Sequence, residues 1–322
     1  MIGFENFDSS SKKGESRTRF NKTVAILMAT FNGLRWLPEQ VNSILGQVEV
    51  TILLFISDDL SNDGTWEWLQ ELSNQDCRVI LLPQTHKFGR AGANFYRLLL
   101  DADFGHCDYI AFSDQDDIWE PDKLSRQITI ARHGNFDGVS SNVTAFWPDE
   151  SSALITKSQA QRKLDYLFES AGPGCTFLMT PWLAGELRRI LAEPLSCARD
   201  VALHDWLAYA VCRASGRTWY IDTTPTVRYR QHTANELGAN YGSSAKFLRL
   251  KWLWSGWYRA EVFKIVKVCM IVSRDPDVVR LSHLLSNTGL IKRIRLLQYI
   301  SEVRRRFVDR LVLLAAIMLF LF

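Results

Sequence analysis

The chain has 322 residues, 47% hydrophobic and 23% charged, enough for one large α/β domain with an appendage but tight for two full-sized domains. Its formal charge of +3 hides an asymmetry: residues 243–322 carry 15 Lys and Arg against 5 Asp and Glu, leaving 23 basic and 30 acidic residues in the first 242. The six cysteines (Cys77, Cys107, Cys175, Cys197, Cys212 and Cys269) show no CxxC pair or zinc-type spacing, so they read as reduced thiols of a cytosolic protein.

Residues 1–22 form a polar leader without the apolar stretch that a secretory signal needs. Thr23 to Ala29 is then a nearly continuous apolar run, as expected of a strand covered on both faces. Thr30-Phe31-Asn32-Gly33 supplies turn chemistry, and Pro38 marks the start of a helix over Leu37–Leu45. Val48–Ile56 is a second buried strand, broken by the polar run Ser57-Asp58-Asp59-Leu60-Ser61-Asn62-Asp63-Gly64, with a helix over Thr65–Leu72 after it. A third strand (Arg78–Leu82), a helix (Gly92–Leu100) and a fourth strand (Tyr109–Ser113) follow, the last ending in Asp114-Gln115-Asp116-Asp117. This alternation predicts a doubly wound, largely parallel α/β sheet. Such sheets bind ligands at the carboxyl ends of their strands, where both acidic clusters fall.

Beyond Pro121, where a further helix begins, the pattern loosens. Phe136–Val143 and Cys175–Thr180 are expected strands, Ala145–Ser170 is polar and irregular, and Val201–Ala214 is an amphipathic helix. Thr218–Tyr220 and Val227–Tyr229 are short strands, and Gly238 with Gly242-Ser243-Ser244 marks the end of the core. The boundaries that follow are a leader (1–22), a catalytic domain (23–242) and a helical, basic extension (243–322). At its end, Leu311–Phe322 is wholly apolar but has 12 residues, where a membrane span needs about 20. Lys292, Arg293, Arg295, Arg304, Arg305, Arg306 and Arg310 precede it, and Trp252, Trp254, Trp257 and Tyr258 make an aromatic cluster. This is the pattern of a segment lying on an anionic bilayer face, with packing on the protein's own core or a partner subunit as the alternative.

Three carboxylates within four residues at Asp114, Asp116 and Asp117 repel one another unless solvent or a cation relieves them. A Mg²⁺ or Mn²⁺ ion bridging to substrate phosphates needs only one or two such ligands. TVAILMATFNG, ISDDLSNDGT and FSDQDDIWEPDKL, in that order, resemble a family 2 glycosyltransferase of the GT-A fold. PGCTF, LHDWLAYA and VRYRQHTANELGA are similar to its bacterial rhamnosyltransferase-like branch, and the likeness runs from about Thr23 to Gly242.

The resemblance implies roles. Asp116 is the principal metal ligand and Asp114 its partner, by an outer-shell or ribose contact, with Asp117 in support beside the donor. Thr30, Asn32 and Asp59 lie on the nucleoside, and a carboxylate at Asp59 suits the imide N–H of uracil or thymine, which predicts a UDP- or dTDP-sugar donor. Leu60 departs from the glycine usual after the paired aspartates. Arg90 and His232 are expected near the diphosphate or the metal, with a solvated cation and a structural histidine as their plain alternatives. Asp58 and Asp63 are expected in turn and capping duty. Asp205 matches the base of an inverting transfer, and the glycines of PGCTF shape the acceptor side.

The expected activity is transfer of a sugar, best matched by L-rhamnose from dTDP-rhamnose, to a saccharide or lipid-linked acceptor in cell-surface polysaccharide synthesis. The expected place is the inner face of the plasma membrane. The alternatives are a UDP-hexose-dependent enzyme of the same fold and a non-catalytic GT-A-like binding protein. A nucleotidyltransferase would want a glycine-rich basic loop after the first strand, and a processive synthase a Gln-x-x-Arg-Trp motif and several spans; neither is in the sequence. The apolar tail beside the basic region points to lipid and not to nucleic acid.

Overall fold

The structure, a computed structural model, describes residues 22–232, 255–286 and 289–322. The glycine-rich end of the core, the last part of VRYRQHTANELGA, Trp252 and Trp254 lie outside these residues.

Strands β1 (Lys22–Thr30), β2 (Val50–Asp58), β3 (Val79–Leu81) and β4 (Tyr109–Ser113) pair in parallel in the order β4-β1-β2-β3. Val24 to Met28 are fully buried because helices cover both faces of the sheet, as continuous apolar runs require. Helices α1 (Leu37–Leu45), α2 (Thr65–Gln75) and α3 (Ala91–Asp101) make the crossovers, α1 opening at Pro38, where a missing N–H costs nothing. Each fully buried Leu or Ile contributes about 1.5–3 kcal/mol of transfer free energy, so this layer forms the rigid base of the site.

The second half departs from the expected pattern. Helix α4 (Lys123–Gly134) follows a short β5 (Ile118–Trp119). The strand expected over Phe136–Val143 is two strands in two sheets, β6 (Gly138–Ser141) and β7 (Val143–Phe146). The break is Asn142, whose side chain donates to Thr223 O at 2.8 Å and accepts from Lys157 N at 2.6 Å. The 145–170 region is not uniformly irregular: it holds β8 (Ser152–Ile155) and a short 3-10 turn at Asp165–Leu167 whose neighbours Leu164 and Phe168 are core residues. Cys175–Thr180 begins as a 3-10 turn (Gly174–Thr176) and only then forms β9 (Leu178–Met179), antiparallel between β4 and β6. Helix α5 (Pro181–Ala192) was not foreseen, and α6 (His204–Ala214) starts three residues later than the apolar pattern suggests. There, Val201 O accepts from Tyr96 Oη at 3.0 Å and Ala202 N donates to Glu261 at 2.9 Å, which holds the approach extended. With β10 (Trp219–Asp222) the large sheet has seven strands, mixed but mostly parallel. β5, β11 (Val227–Arg230), β7 and β8 form a second sheet of four.

The extension contributes α7 (Trp257–Val272), α8 (Pro276–Leu285), α9 (Leu290–Leu296) and α10 (Phe307–Met318). Val262, Ile265 and Val266 of α7 and Leu313, Ala316 and Ile317 of α10 join the same core as α3 and α6. The opposite face of α10 and its end present Phe307, Val308, Leu311, Val312, Leu319 and Phe320 to solvent, Leu319 at 67% exposure. No described helix is long and apolar enough to cross a membrane. All six cysteines are free thiols, four of them buried.

Candidate active site

Parallel pairing sets Thr30 beside Asp58 and Met28 beside Ser113, so the chain leaves β1, β2 and β4 along one edge. Thr30 Oγ1 donates to Asp58 Oδ1 at 3.0 Å, and Asp58 also accepts from Ser61 N and Gln84 Nε2, which is turn duty. Asp63 closes the start of α2 by accepting from Thr65 N at 3.1 Å. Asp59 accepts from Gly89 N at 2.8 Å and from Phe88 N, so it fixes the 86–90 loop, and each carboxylate oxygen has capacity for a second donor. Asn32 takes a left-handed backbone (φ 47°) and crosses to the loop after β2, accepting from Asn62 N at 2.9 Å. Leu60 is also left-handed, at φ 57°. The Arg90 guanidinium donates to the carbonyls of Arg199 and Val201. Asn94 is buried and donates to Ser57 O at 2.8 Å, bracing the end of β2.

The acidic loop is laced to both sides. Gln115 accepts from Phe31 N at 2.8 Å and donates to Phe31 O at 2.9 Å, an approach so close that a Cβ at Gly33 would lie 2.2 Å from Gln115 Oε1. Asp116 is almost fully buried, with His232 Nε2 at 2.7 Å from its Oδ2, and the His232 ring stacks on Trp36 at 4.0 Å. Arg230 donates from Nε to Asp116 O at 2.8 Å and from its backbone N to Asp117 Oδ1 at 3.1 Å, while its guanidinium reaches Glu39. Asp117 is fully buried, and desolvation beside Asp116 and Asp114 pushes its carboxyl well above the usual range. Ligand atoms of Asp114, Asp117 and Cys175 lie within 4.8 Å of one another. The hard carboxylate oxygens of Asp114 and Asp116 suit Mg²⁺ or Mn²⁺, and the His232 imidazole lies beside Asp116. The Cys175 thiol, held neutral by burial, does not.

Asp205 stands in the first turn of α6. Burial pushes its carboxyl up to about 6, while the Trp206 N–H at 2.6 Å, Lys157 and the Ser170 hydroxyl work the other way. Such a group is largely ionised at neutral pH yet basic enough to take a proton. Its neighbour His204 stacks on Phe95 at 3.7 Å, and burial drives its imidazole down to about 3, so it packs and carries no charge. A Cβ at Gly174 would lie 2.5 Å from His204 Nε2 and 3.4 Å from Asp205 Cβ. The next residue is Cys175, beside Asp114 and Asp117. One turn therefore joins the acidic loop to Asp205, while the 86–90 loop joins Asp59 to the segment before α6.

Residues 25–170 match the model of glycosyl transferase family 2. Over 239 residues, 74% of this chain and 83% of the relative, the chain is 45% identical to the dTDP-rhamnosyl transferase RfbG of Shigella flexneri. The chain belongs to glycosyl transferase family 2. It is a glycosyltransferase, and 29% identical over 54% of its length, and 63% of the relative's, to WfgD of Escherichia coli, a UDP-Glc:alpha-D-GlcNAc-diphosphoundecaprenol beta-1,3-glucosyltransferase. Among solved structures, TarS of S. aureus in complex with UDP superposes with a TM-score of 0.53 at 12% identity, over 82% of this chain and 86% of that one. A mannosyltransferase from Pyrobaculum calidifontis, solved with GDP-Man and Mn²⁺, gives 0.50 at 15% identity, over 94% of this chain and 81% of that one. These likenesses support the GT-A fold.

Several residues of this glycosyltransferase's site had no signal of their own in the sequence. Trp36, which backs His232, and Glu39, which pairs with Arg230, sit in an ordinary helix start. Ser170 lies in a stretch that looks like loop, and only its closeness to Asp205 singles it out. Lys123 reads as a surface residue of α4, yet it is fully buried with its ammonium 3.8 Å above the Trp119 ring, and desolvation brings it down to about 7.

Proposed function

We propose that this enzyme moves an L-rhamnosyl unit from dTDP-rhamnose, with inversion, onto a saccharide or lipid-linked acceptor in the synthesis of a cell-surface polysaccharide. The observation that supports the reading is the Gly174-Cys175 turn, which packs against Asp205 at Gly174 and lies beside Asp114 and Asp117 at Cys175. The 45% identity to a dTDP-rhamnosyl transferase supports the donor, and Asp59 suits the thymine imide.

In this mechanism Thr30, Asn32 and Asp59 bind the nucleoside. Asp205 takes the proton of the acceptor hydroxyl as that oxygen bonds to the anomeric carbon. The bond from that carbon to the diphosphate oxygen breaks on the opposite face, and dTDP leaves with the electron pair. From dTDP-β-L-rhamnose the product is an α-L-rhamnoside. Asp116 and Asp114, with His232, would hold Mg²⁺ or Mn²⁺, whose charge stabilises the departing diphosphate. Arg90 and Asp117 act as supports of the donor pocket, one bracing the 86–90 loop and the other anchoring Arg230. The exposed apolar face of α10, flanked by Arg306 and Arg310, lies on the inner surface of the plasma membrane, where a lipid-linked acceptor is found.

The test is a screen of donor binding and slow donor hydrolysis with dTDP-rhamnose, UDP-glucose and GDP-mannose, each with Mn²⁺, Mg²⁺ or EDTA. dTDP-rhamnose turnover that EDTA abolishes is expected. UDP-glucose as the favoured donor would move the assignment to a hexosyl transfer, and a strict preference for GDP-mannose would overturn the role of Asp59.

A further inference from the structure

Besides its apolar packing, the C-terminal extension grips the catalytic half through a buried charged side chain. Arg305, just before α10, is 5% exposed and grips the 165–172 loop three ways. Its backbone N donates to Glu169 Oε1 at 2.5 Å, one terminal nitrogen donates to Asp165 Oδ2 at 3.2 Å, and the other donates to Ser170 O at 2.6 Å. Arg304 adds a bond to Phe168 O at 2.8 Å, and Leu164 N donates to Glu302 O at 3.1 Å. A charge buried this deeply is costly unless its partners are held in place, so the geometry is specific to arginine's planar fork.

The same loop holds the base helix. Trp206 Nε1 donates to Tyr166 O at 2.9 Å, Asp165 accepts from Tyr209 Oη at 3.1 Å, and the Ser170 hydroxyl donates to Gly172 O at 3.0 Å on the side of the loop that faces Asp205. Two bonded steps therefore separate the extension from the helix that carries Asp205: Arg305 holds Asp165, and Asp165 accepts from Tyr209 of α6.

We propose that Arg305 is a positioning residue for sugar transfer, holding the 165–170 loop, Ser170 included, so that α6 presents the Asp205 carboxylate in the attacking geometry, and that the basic extension is thereby part of the catalytic apparatus. The inference rests on Asp205 being the base. The groups that face that carboxylate are Lys157, Ser170, the neutral His204, the Trp206 N–H and, at longer range, Tyr96 of α3. Among them Ser170 is the one the extension holds, and its hydroxyl favours the ionised form.

The experiment uses the full chain in detergent, with dTDP-rhamnose as donor and water as acceptor, and follows dTDP release between pH 5 and 9. Arg305→Lys keeps the charge and loses the fork; Ser170→Ala loses the hydroxyl alone. Each is expected to lower kcat by about tenfold or more, the scale of a small misplacement of a reacting group, with KM for dTDP-rhamnose within about twofold of the parent. The acid limb of the kcat profile should move to higher pH in Ser170→Ala, because the ionised carboxylate has lost a donor. An unchanged kcat and acid limb in both variants would overturn the proposal, as would losses that track only a lowered thermal midpoint. Arg305→Met removes one of the two arginines beside the buried Asp165, leaving Arg213, and takes away the guanidinium at Glu169; it is the variant most prone to unfold, so the other two decide. Asp205→Asn in parallel separates the two claims: if it keeps the parental rate, the base assignment itself fails, whereas its loss alone would sink only the positioning role.

Discussion

The flank proposed to bind the donor, from β1 to β4, and the flank proposed to take the acceptor, from the 165–174 loop to α6, meet at one turn yet are assembled by different rules. On the donor flank each functional group follows a strand directly, and the strands are in parallel register, so Thr30, Asp58 and Asp114 fall on one edge by topology alone. On the acceptor flank the groups come from segments remote in sequence: Gly174, Asp205, Lys157 and Ser170 are brought together by packing, and Arg305, 100 residues beyond Asp205 in the numbering, holds the loop from outside. One flank is fixed by local order and the other by tertiary contacts, so mutations should act differently on the two.

The sharpest way to break the comparison is the base itself. Asp205→Asn should lower transfer by about 10²–10⁴-fold while leaving donor affinity within about twofold, since general-base catalysis is worth that much and the donor flank is untouched. An equal loss of donor binding, read by calorimetric titration of dTDP-rhamnose, would make Asp205 structural. In the parent, kcat should rise through an apparent pKa of about 6 as Asp205 ionises. The sign for stability is opposite to that of a salt-bridged acid. The folded group binds its proton at higher pH than an unfolded aspartate, so stability falls as pH climbs from about 4 to 6. Asn carries no charge to bury, and Asp205→Asn should therefore be more stable than the parent at pH 7.5 by about 1 kcal/mol, an inactive but firmer protein.

The outer face of the acceptor flank gives a smaller effect. Removing Leu311–Phe322 outright would strip Leu313, Ile317 and Phe322 from the core, so a cleaner change alters only exposed positions. Phe307→Ser with Leu319→Ser and Phe320→Ser should lower the affinity for phosphatidylglycerol vesicles, read by sedimentation, by about a hundredfold, each lost apolar contact being worth about 1 kcal/mol at the interface. Donor hydrolysis in solution should not change. Unaltered vesicle binding with an altered oligomeric state would assign the face to a second copy of the chain.

The flanks also differ in how much of them could be read beforehand. β1, α1, β2, α2, α3 and β4 follow from apolar runs, turn residues and one proline, because each is stabilised by burial that its own pattern encodes. The acidic loop stood out as three carboxylates within four residues after a buried strand, but the sequence did not show that Asp117 anchors Arg230 N at 3.1 Å or that Asp116 meets His232 at 2.7 Å. Beyond Pro121 the pattern fails where an element depends on distant partners. Asn142 splits what looks like one strand because its amide ties to Thr223 and Lys157, and α6 starts late because Val201 and Ala202 are bonded to α3 and α7. The apolar tail presented two alternatives, lipid and core, and α10 has a buried face and an exposed one: Leu313, Ala316 and Ile317 inward, Phe307, Leu311 and Val312 outward. A run of uniformly apolar residues has no period from which that division could be seen.

The smallest effect sharpens the donor flank. Leu60 stands where the family pattern has glycine and holds φ at 57°, a conformation in which a Cβ crowds the following carbonyl at a cost of about 1–2 kcal/mol. The turn is held by its neighbours, with Asp58 accepting from Ser61 N at 2.9 Å and Asp59 accepting from Gly89 N at 2.8 Å, so the strain cannot relax locally. Leu60→Gly removes the crowding, but at 39% exposure the side chain also has covered surface that is lost with it. Glycine in addition gives the unfolded chain more freedom, worth about 0.5–1 kcal/mol. The two losses offset the relieved strain, so the net change should lie within about 1 kcal/mol of zero, or roughly 3 °C at most in the midpoint of thermal unfolding for a chain of this size. A larger fall in the midpoint would mean that the Leu60 side chain makes a contact worth more than the strain, and this loop would then owe its shape to packing, as the 165–174 region does.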